Sequence, residues 1–290
     1  MAAAVPEALV KKQLRQFGLT DNTRLTSVKS VEKLMKNVGI ALRYWRTEKL
    51  PLASLYQAAC GNPKAPPKEK FSPGVSQREE AQRIAIELTN HLLASHQGIE
   101  VNVIAGRIAL VHRDLVPSLY VLVRNHGTTD DLSGVSPLAK KVFHFITETR
   151  ETTAGLVRKF LGMPVVDLNN DPAYLALAEL QSNFLIDRGP YQIRKTGIPY
   201  LSKEGYPYHC FHLAHPELVK SAAKLSRSDA AQNFLLAYLR GAVFATDMKM
   251  CSMFSAFLSR KEVNDAIETL ADHKKISINI VKKDRLIISR

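Results

Sequence analysis

Cysteine is scarce in this chain of 290 residues: Cys60, Cys210 and Cys251 are its three thiols. They stand far apart and are odd in number. That excludes a disulfide framework and any paired-cysteine zinc spacing, and it points to a reducing, cytoplasmic setting. No apolar run is long enough to cross a bilayer, so no membrane partner is expected. The opening "MAAAVPEALVKKQLRQFG" is charged too early and too often for a secretory leader. The P-loop, the GxSxG elbow and HExxH are all missing. "VHRDL" at 111–115 echoes a kinase catalytic loop, but no glycine-rich phosphate loop or DFG element accompanies it, and the match is chance. His209, His212 and His215 invite a zinc reading. If "YPYHCFHLA" is a strand, His212 faces away from the other two, so no metal and no cofactor is expected.

Acidic residues are also short, with 27 Asp+Glu against 40 Lys+Arg and a net charge of +13. The excess is uneven: +8 over residues 1–75, −2 over 76–135, +3 over 136–225 and +4 over 226–290. Positive charge of this size attracts polyanions, and double-stranded DNA is the expected partner.

What is present parses best from the C-terminal end. "SDAAQNFLLAYLRGAVFAT" sets Leu235, Tyr238, Leu239 and Ala242 on one helical stripe, and "DMKMCSMFSAFL" reads as a second helix. Ser259 with Glu262 three residues on is a capping box for a third, whose apolar face is Val263, Ala266, Ile267 and Leu270. "ISINIVKKDRLIISR" is then a β-hairpin with a basic tip. Three helices and a hairpin make a winged helix, with the hairpin as its wing. The layout recurs upstream. "SPLAKKVFHFITETR" and "ETTAGLVRKFLG" are helices, and Asp171-Pro172 starts a third with Ala173, Leu177, Leu180 and Phe184 on its buried face. Two β-type runs follow. Residues 1–135 form an N-terminal domain with no closed fold legible, an eroded third copy being one alternative, and carry a Pro/Lys-rich loop at 61–74. The expected fold class is therefore mainly α with small β-hairpins (α+β), built from tandem winged-helix modules at 136–225 and 226–290.

Candidate DNA-binding residues follow from the wings. Lys282, Lys283 and Arg285 lie on one hairpin, and Arg194, Lys195 and Lys203 on the other; Arg260 and Lys261 open the last helix. The alternative is that such cations only guard exposed strand edges. The recognition helices carry few base-reading groups. Tyr174, Gln181 and Asn183 are the candidates on one, so backbone-led binding is expected ahead of sequence reading.

Three passages together, "VEKLMKNVGIALRYWRTEKLPLASLYQAACG", "SPLAKKVFHFITETRETTAGLVRKFLG" with "AYLALAELQSNFLI", and the module after "AAQNFLLAYLRGA", resemble the winged-helix DNA glycosylases of the AlkZ type and the looser AlkZ-related group. The resemblance implies tandem winged helices around DNA and excision of alkylated or crosslinked bases. The family's catalytic signature is Gln, an apolar residue, then Gln or Asp. Aligned on Gly39, it falls on Leu42 and Tyr44, neither of which can steady an oxocarbenium-like sugar. Glu48 is the nearest carboxylate, and the catalytic residues are unknown. Tyr44 and Trp45 are expected to be core aromatics, with stacking on a base as the alternative. The leading expectation is a DNA-binding protein without the usual catalytic motif. An active glycosylase and a winged-helix protein-interaction scaffold are the alternatives.

Overall fold

The computed structural model describes residues 5–44, 50–63, 77–124, 129, 131–164, 170–190, 206–281 and 284–290. Helix α1 (Glu7–Gln16) and a 3-10 turn (Asp21–Thr23) lead into three units that share one element order. The first runs α2 (Val28–Val38), β1 (Ile40–Leu42), β2 (Ala53–Ser54), α3 (Leu55–Cys60), α4 (Gln77–Ala94), β3 (Gly98–Ile104) and β4 (Arg107–His112), and α5 (Val116–Arg124) follows it. The second runs α6 (Pro137–Thr149), β5 (Glu151–Thr152), α7 (Ala154–Leu161), α8 (Pro172–Ser182), β6 (Ile186–Arg188) and β7 (Tyr208–Cys210), followed by α9 (Phe211–Ala214) and α10 (Pro216–Ala222). The third runs α11 (Arg227–Ala242), β8 (Phe244–Thr246), α12 (Asp247–Phe254), α13 (Arg260–Asp272), β9 (Ile276–Val281) and β10 (Asp284–Ser289).

Each unit is helix, short strand, helix, helix, then two antiparallel strands, and in each the short strand pairs antiparallel with the last. The order is winged-helix-like, and the N-terminal range that looked irregular in the sequence shares it. The same local chemistry recurs at matching points. The first helices begin at Ser27, Ser136 and Ser226, whose hydroxyls accept from the N–H groups of Ser30, Ala139 and Asp229. They end on residues with positive φ, Gly39 (68°), Arg150 (64°) and Val243 (67°), which swing the chain into the short strand. Glycine takes that conformation freely, whereas Arg150 and Val243 each hold it at a cost of roughly 1–3 kcal/mol. The second helices are capped by Ser54, Thr153 and Thr246. The third helices close with left-handed His96, Phe184 and Lys274, and the next N–H donates back to Leu92, Leu180 and Leu270, at 3.0, 3.0 and 2.9 Å.

One expected element differs. "YPYHCFHLA" is a strand only to Cys210 and then turns into α9. The break buries Phe211 between Tyr120 and Phe184, with ring centroids 5.4 and 5.1 Å away, and the Phe211 N–H donates to the Leu185 carbonyl at 2.9 Å.

Two cores result. Val142, Phe143, Ile146, Val157, Leu177, Leu180 and Tyr208 form that of the second unit. The larger core is shared by the first and third units, with Met35, Val38, Ile40, Leu119, Phe234, Leu235, Tyr238 and Ile267 in one continuous cluster. Its seam is the crossing of α2 and α11. Gly241 permits it, because a Cβ at that position would lie 2.2 Å from the Val38 carbonyl oxygen. At the other end of α11, Arg227 donates to Glu262 (2.5 Å), Leu122 O (2.8 Å) and Phe257 O (2.8 Å). The Arg227 hydrogen bond, ahead of the one from Ser259, holds the Glu262 carboxyl at about 2. Among the described residues no helix is long and apolar enough to cross a membrane.

Gly241→Ala is expected to force α2 and α11 apart and to cost about 2–3 kcal/mol, the range of overpacked cores. Urea denaturation measures this, and an unchanged midpoint would show that the crossing relaxes freely.

Candidate nucleic-acid interface

The surfaces that winged helices ordinarily offer to DNA are largely committed to internal contacts in the first two units. The first wing is a tight hairpin whose two turn residues, Ala105 and Gly106, both have positive φ (52° and 61°). The Ala105 N–H donates to the Met253 carbonyl of α12 at 2.8 Å, which docks the wing on the third unit. The third helix of the second unit, α8, lies against β3. Gln181 Nε2 donates to Glu100 O (2.9 Å), Asn102 Nδ2 donates to Ala178 O (3.1 Å), and the Ser182 hydroxyl donates to Asn102 Oδ1 (2.8 Å). Asn183 Nδ2 donates to the Glu179 carbonyl. Gln181 and Asn183 are thus engaged inside the protein.

Beside this seam lies a buried charge cluster. Glu100 on β3, 2% exposed, is flanked by Arg43, just beyond β1, and Arg188 on β6. Arg43 Nη1 is 2.9 Å from Glu100 Oε2, Arg188 Nη2 pairs with Glu100 Oε1, and Arg43 Nη2 donates to the Tyr206 hydroxyl at 2.6 Å. Both guanidiniums lie against the Tyr206 ring, at 4.3 Å for Arg188 and 5.4 Å for Arg43. Burial alone would push the Glu100 carboxyl up; the two cations, Arg188 ahead of Arg43, outweigh it and hold the pKa below the usual carboxylate range. A second buried pair, His215 Nε2 to Asp187 Oδ2 at 2.7 Å, sits nearby on the same strand as Arg188.

The positions on which the glycosylase signature falls flank Arg43. Leu42 is a strand residue, 2% exposed, paired with Ala109 on β4 and Ser54 on β2. Tyr44 is 50% exposed, so it is not the core aromatic that composition suggested: β1 ends at Leu42, and the chain turns outward after Arg43 enters the buried cluster. Trp45 and Glu48 lie outside the described residues.

Of the predicted DNA contacts, Lys282, Lys283, Arg194, Lys195 and Lys203 lie outside the described residues. Arg260 and Lys261 are exposed at the start of α13. Arg285 is directed back at its own unit, 2.5 Å from Glu268 and 4.0 Å from Asp247. The three histidines do not converge: His209 faces Glu151 at 3.7 Å, His215 holds Asp187, and no group of three metal-ligating side chains occurs among the described residues.

Sequence reasoning missed one basic feature. A cleft of about 520 Å³ between α1 and α2 is lined by Lys11, Lys12, Arg15, Lys33 and Asn37, among others. It runs into a neighbouring hollow of about 310 Å³ that adds Arg24, Asn22 and Ser30. None of the residues lining either is acidic. The signal was the +8 of residues 1–75 together with the four-residue spacings Lys11/Arg15 and Lys33/Asn37, which place these groups on helix faces.

The fold and this basic surface define a class: tandem winged-helix-like modules of α+β type. No family model matches the chain, and no curated protein matches its sequence. Among solved structures it is similar to the Streptomyces sahachiroi DNA glycosylase AlkZ, at 13% identity and a TM-score of 0.57, over 100% of this chain and 70% of that one. This is a distant likeness of fold.

Glu100→Gln keeps the shape of the buried cluster but leaves two guanidiniums without their anion. It is expected to destabilise the protein by about 3 kcal/mol or more in urea denaturation. Glu87→Gln, which removes an exposed partner of Arg83, should cost under about 1 kcal/mol. Equal effects would mean that Glu100 is solvated after all.

Proposed function

We propose that this chain binds duplex DNA through its phosphates, on a scaffold laid out like that of AlkZ, and does so without the chemistry of the usual AlkZ-type motif. The observation that carries the reading is the arrangement of three winged-helix-order units, similar in fold to a DNA glycosylase along the whole of this chain. The net charge of +13 and the cation-lined cleft support it. Base reading is disfavoured, because Gln181 and Asn183 are engaged internally and α13 carries several acids behind Arg260 and Lys261. One observation favours the scaffold reading instead: Leu156 and Phe160 are exposed on α7, with Phe160 stacked on Phe145 at 4.2 Å. That patch is small beside the clustered positive charge, and Lys141 lies over it, 5.4 Å from the Phe160 ring.

Plain duplex DNA is expected to bind with an affinity that falls steeply with salt, with a log–log slope of about −0.9 per phosphate contacted. Titration at several salt concentrations measures it. Binding that is flat across that range, or missing at low salt, sinks the reading.

Against DNA carrying one alkylated purine or an interstrand crosslink, the parent protein is expected to leave no abasic sites while still binding. Base excision needs a polar group at the flipped nucleotide and charge stabilisation in the transition state, and Leu42, buried between two strands, provides neither. Leu42→Gln should not confer activity. Placing an amide in the sheet interior should instead cost about 1–3 kcal/mol. Accumulation of abasic sites with the parent, unaltered by Tyr44→Phe, would locate catalysis elsewhere and overturn the motif argument.

A further inference from the structure

We infer that the cleft between α1 and α2 is a seat for consecutive phosphates of a DNA backbone, a contact surface lined by no described residue of a wing or third helix. The inference rests on the DNA-binding reading and gives it a location. Five cations, Lys11, Lys12, Arg15, Arg24 and Lys33, line two adjoining hollows. Lys11 alone has a carboxylate, Glu7 at 2.7 Å, and that pair is largely exposed. Lys12, Arg15, Arg24 and Lys33 make no ion pair among the described residues. This is unlike Arg43, Arg83, Arg158, Arg188, Arg227 and Arg285, each of which faces a carboxylate. Unpaired like charges gathered around a concavity repel one another and focus the potential in it, which is unfavourable alone and favourable once an anion enters. Asn22 and Asn37 add neutral donors of the kind that hold phosphate oxygens.

The way α1 is attached gives the cleft its orientation. This helix buries no residue. Its hold on the body is Leu14 against the core and two glutamines that close the end of α11: Gln13 Nε2 donates to Ala242 O at 2.5 Å and Gln16 Nε2 to Arg240 O at 2.6 Å. With that face turned to α11, the cations at 11, 12 and 15 border the cleft, opposite Lys33 on α2. Phe17 and Leu19, just past its end, are buried and anchor that end, so the exposed first turns are the part that gains protection from anything that bridges the helix to α2.

The test uses the full chain and a labelled random-sequence duplex. The variant Lys12→Ala/Arg15→Ala/Lys33→Ala is compared with the charge-matched control Lys29→Ala/Lys36→Ala/Lys220→Ala, whose residues are exposed outside the cleft. Thermal melts confirm that both fold. The cleft variant should bind about tenfold or more weakly near 100 mM salt, with a salt slope smaller by about 2 to 3, and the control by less than about threefold. Amide exchange of α1 should slow when DNA is added to the parent and not when it is added to the cleft variant. Equal weakening in both variants would reduce the effect to net charge and overturn the inference. A cleft variant that binds like the parent overturns it while DNA binding stands. A parent that leaves DNA free overturns both.

Discussion

The carboxylate of Glu100 is the constraint on which the assembly of the first two units depends. It sits on β3 between a guanidinium from the end of β1 and one from β6, with all three charges withdrawn from water. Desolvating such a group is costly, and the cost is offset only when geometry and partners are good. Here each Glu100 oxygen faces a guanidinium, Tyr206 takes a further Arg43 donor, and the Glu100 carbonyl accepts from Gln181, while Arg43 Nε and Arg188 Nε are buried without a hydrogen-bond partner among the described residues. Because the cluster takes residues from β3, β6 and the position just beyond β1, in two units, it sets where α8 meets β3. A shift of either unit would strand a buried charge.

That seam explains why the winged-helix order does not translate directly into three DNA-reading modules. A lone wing and a lone third helix each present unpaired polar edges, which a module can offer to nucleic acid or to a neighbour. In the first unit the wing is spent on Met253, and in the second the third helix is spent on β3. The shared core across α2 and α11 completes the arrangement, since the first and third units bury their first helices against each other. Tandem repetition has thus been turned into a single packed body, and the cations that remain unpaired mark where its outer surface still carries free charge.

Local chemistry made much of the fold legible. Asp171 and Ser259 are N-caps legible in the sequence, and each precedes an apolar stripe, so the second and third units could be traced. The first unit was hidden because its second helix spans only Leu55–Cys60, too little for a period to emerge. The strongest repeat signal, positive φ at residues 39, 150 and 243, is invisible when glycine stands at one copy, arginine at the next and valine at the third. Tertiary facts were out of reach altogether. Nothing local pairs Glu100 with residues 57 positions before it and 88 after, or brings the cations of α1 to those of α2. The predicted wing contact at Arg285 shows the converse: a basic residue in the right hairpin, with its charge drawn back by Glu268 on the adjacent helix.

Arg43 shows how binding and chemistry can part company on one scaffold. It lies between the two positions where the resemblance to AlkZ-type glycosylases places polar catalytic groups. Its side chain is turned into the seam, where it holds Glu100 and lies against Tyr206. A site that performs excision must keep such groups facing a pocket with room for a flipped base. A site that joins two modules must bury them and satisfy them, and Arg43, 3% exposed, has taken the second course. Phosphate binding makes neither demand. It needs only unpaired cations at the surface, and Lys12, Arg15 and Lys33 meet that requirement on helices that contribute no charge to the buried cluster. On the proposed reading, a chain without the catalytic pair that keeps a basic cleft is physically consistent, because the two functions would draw on different residues with opposite requirements for burial.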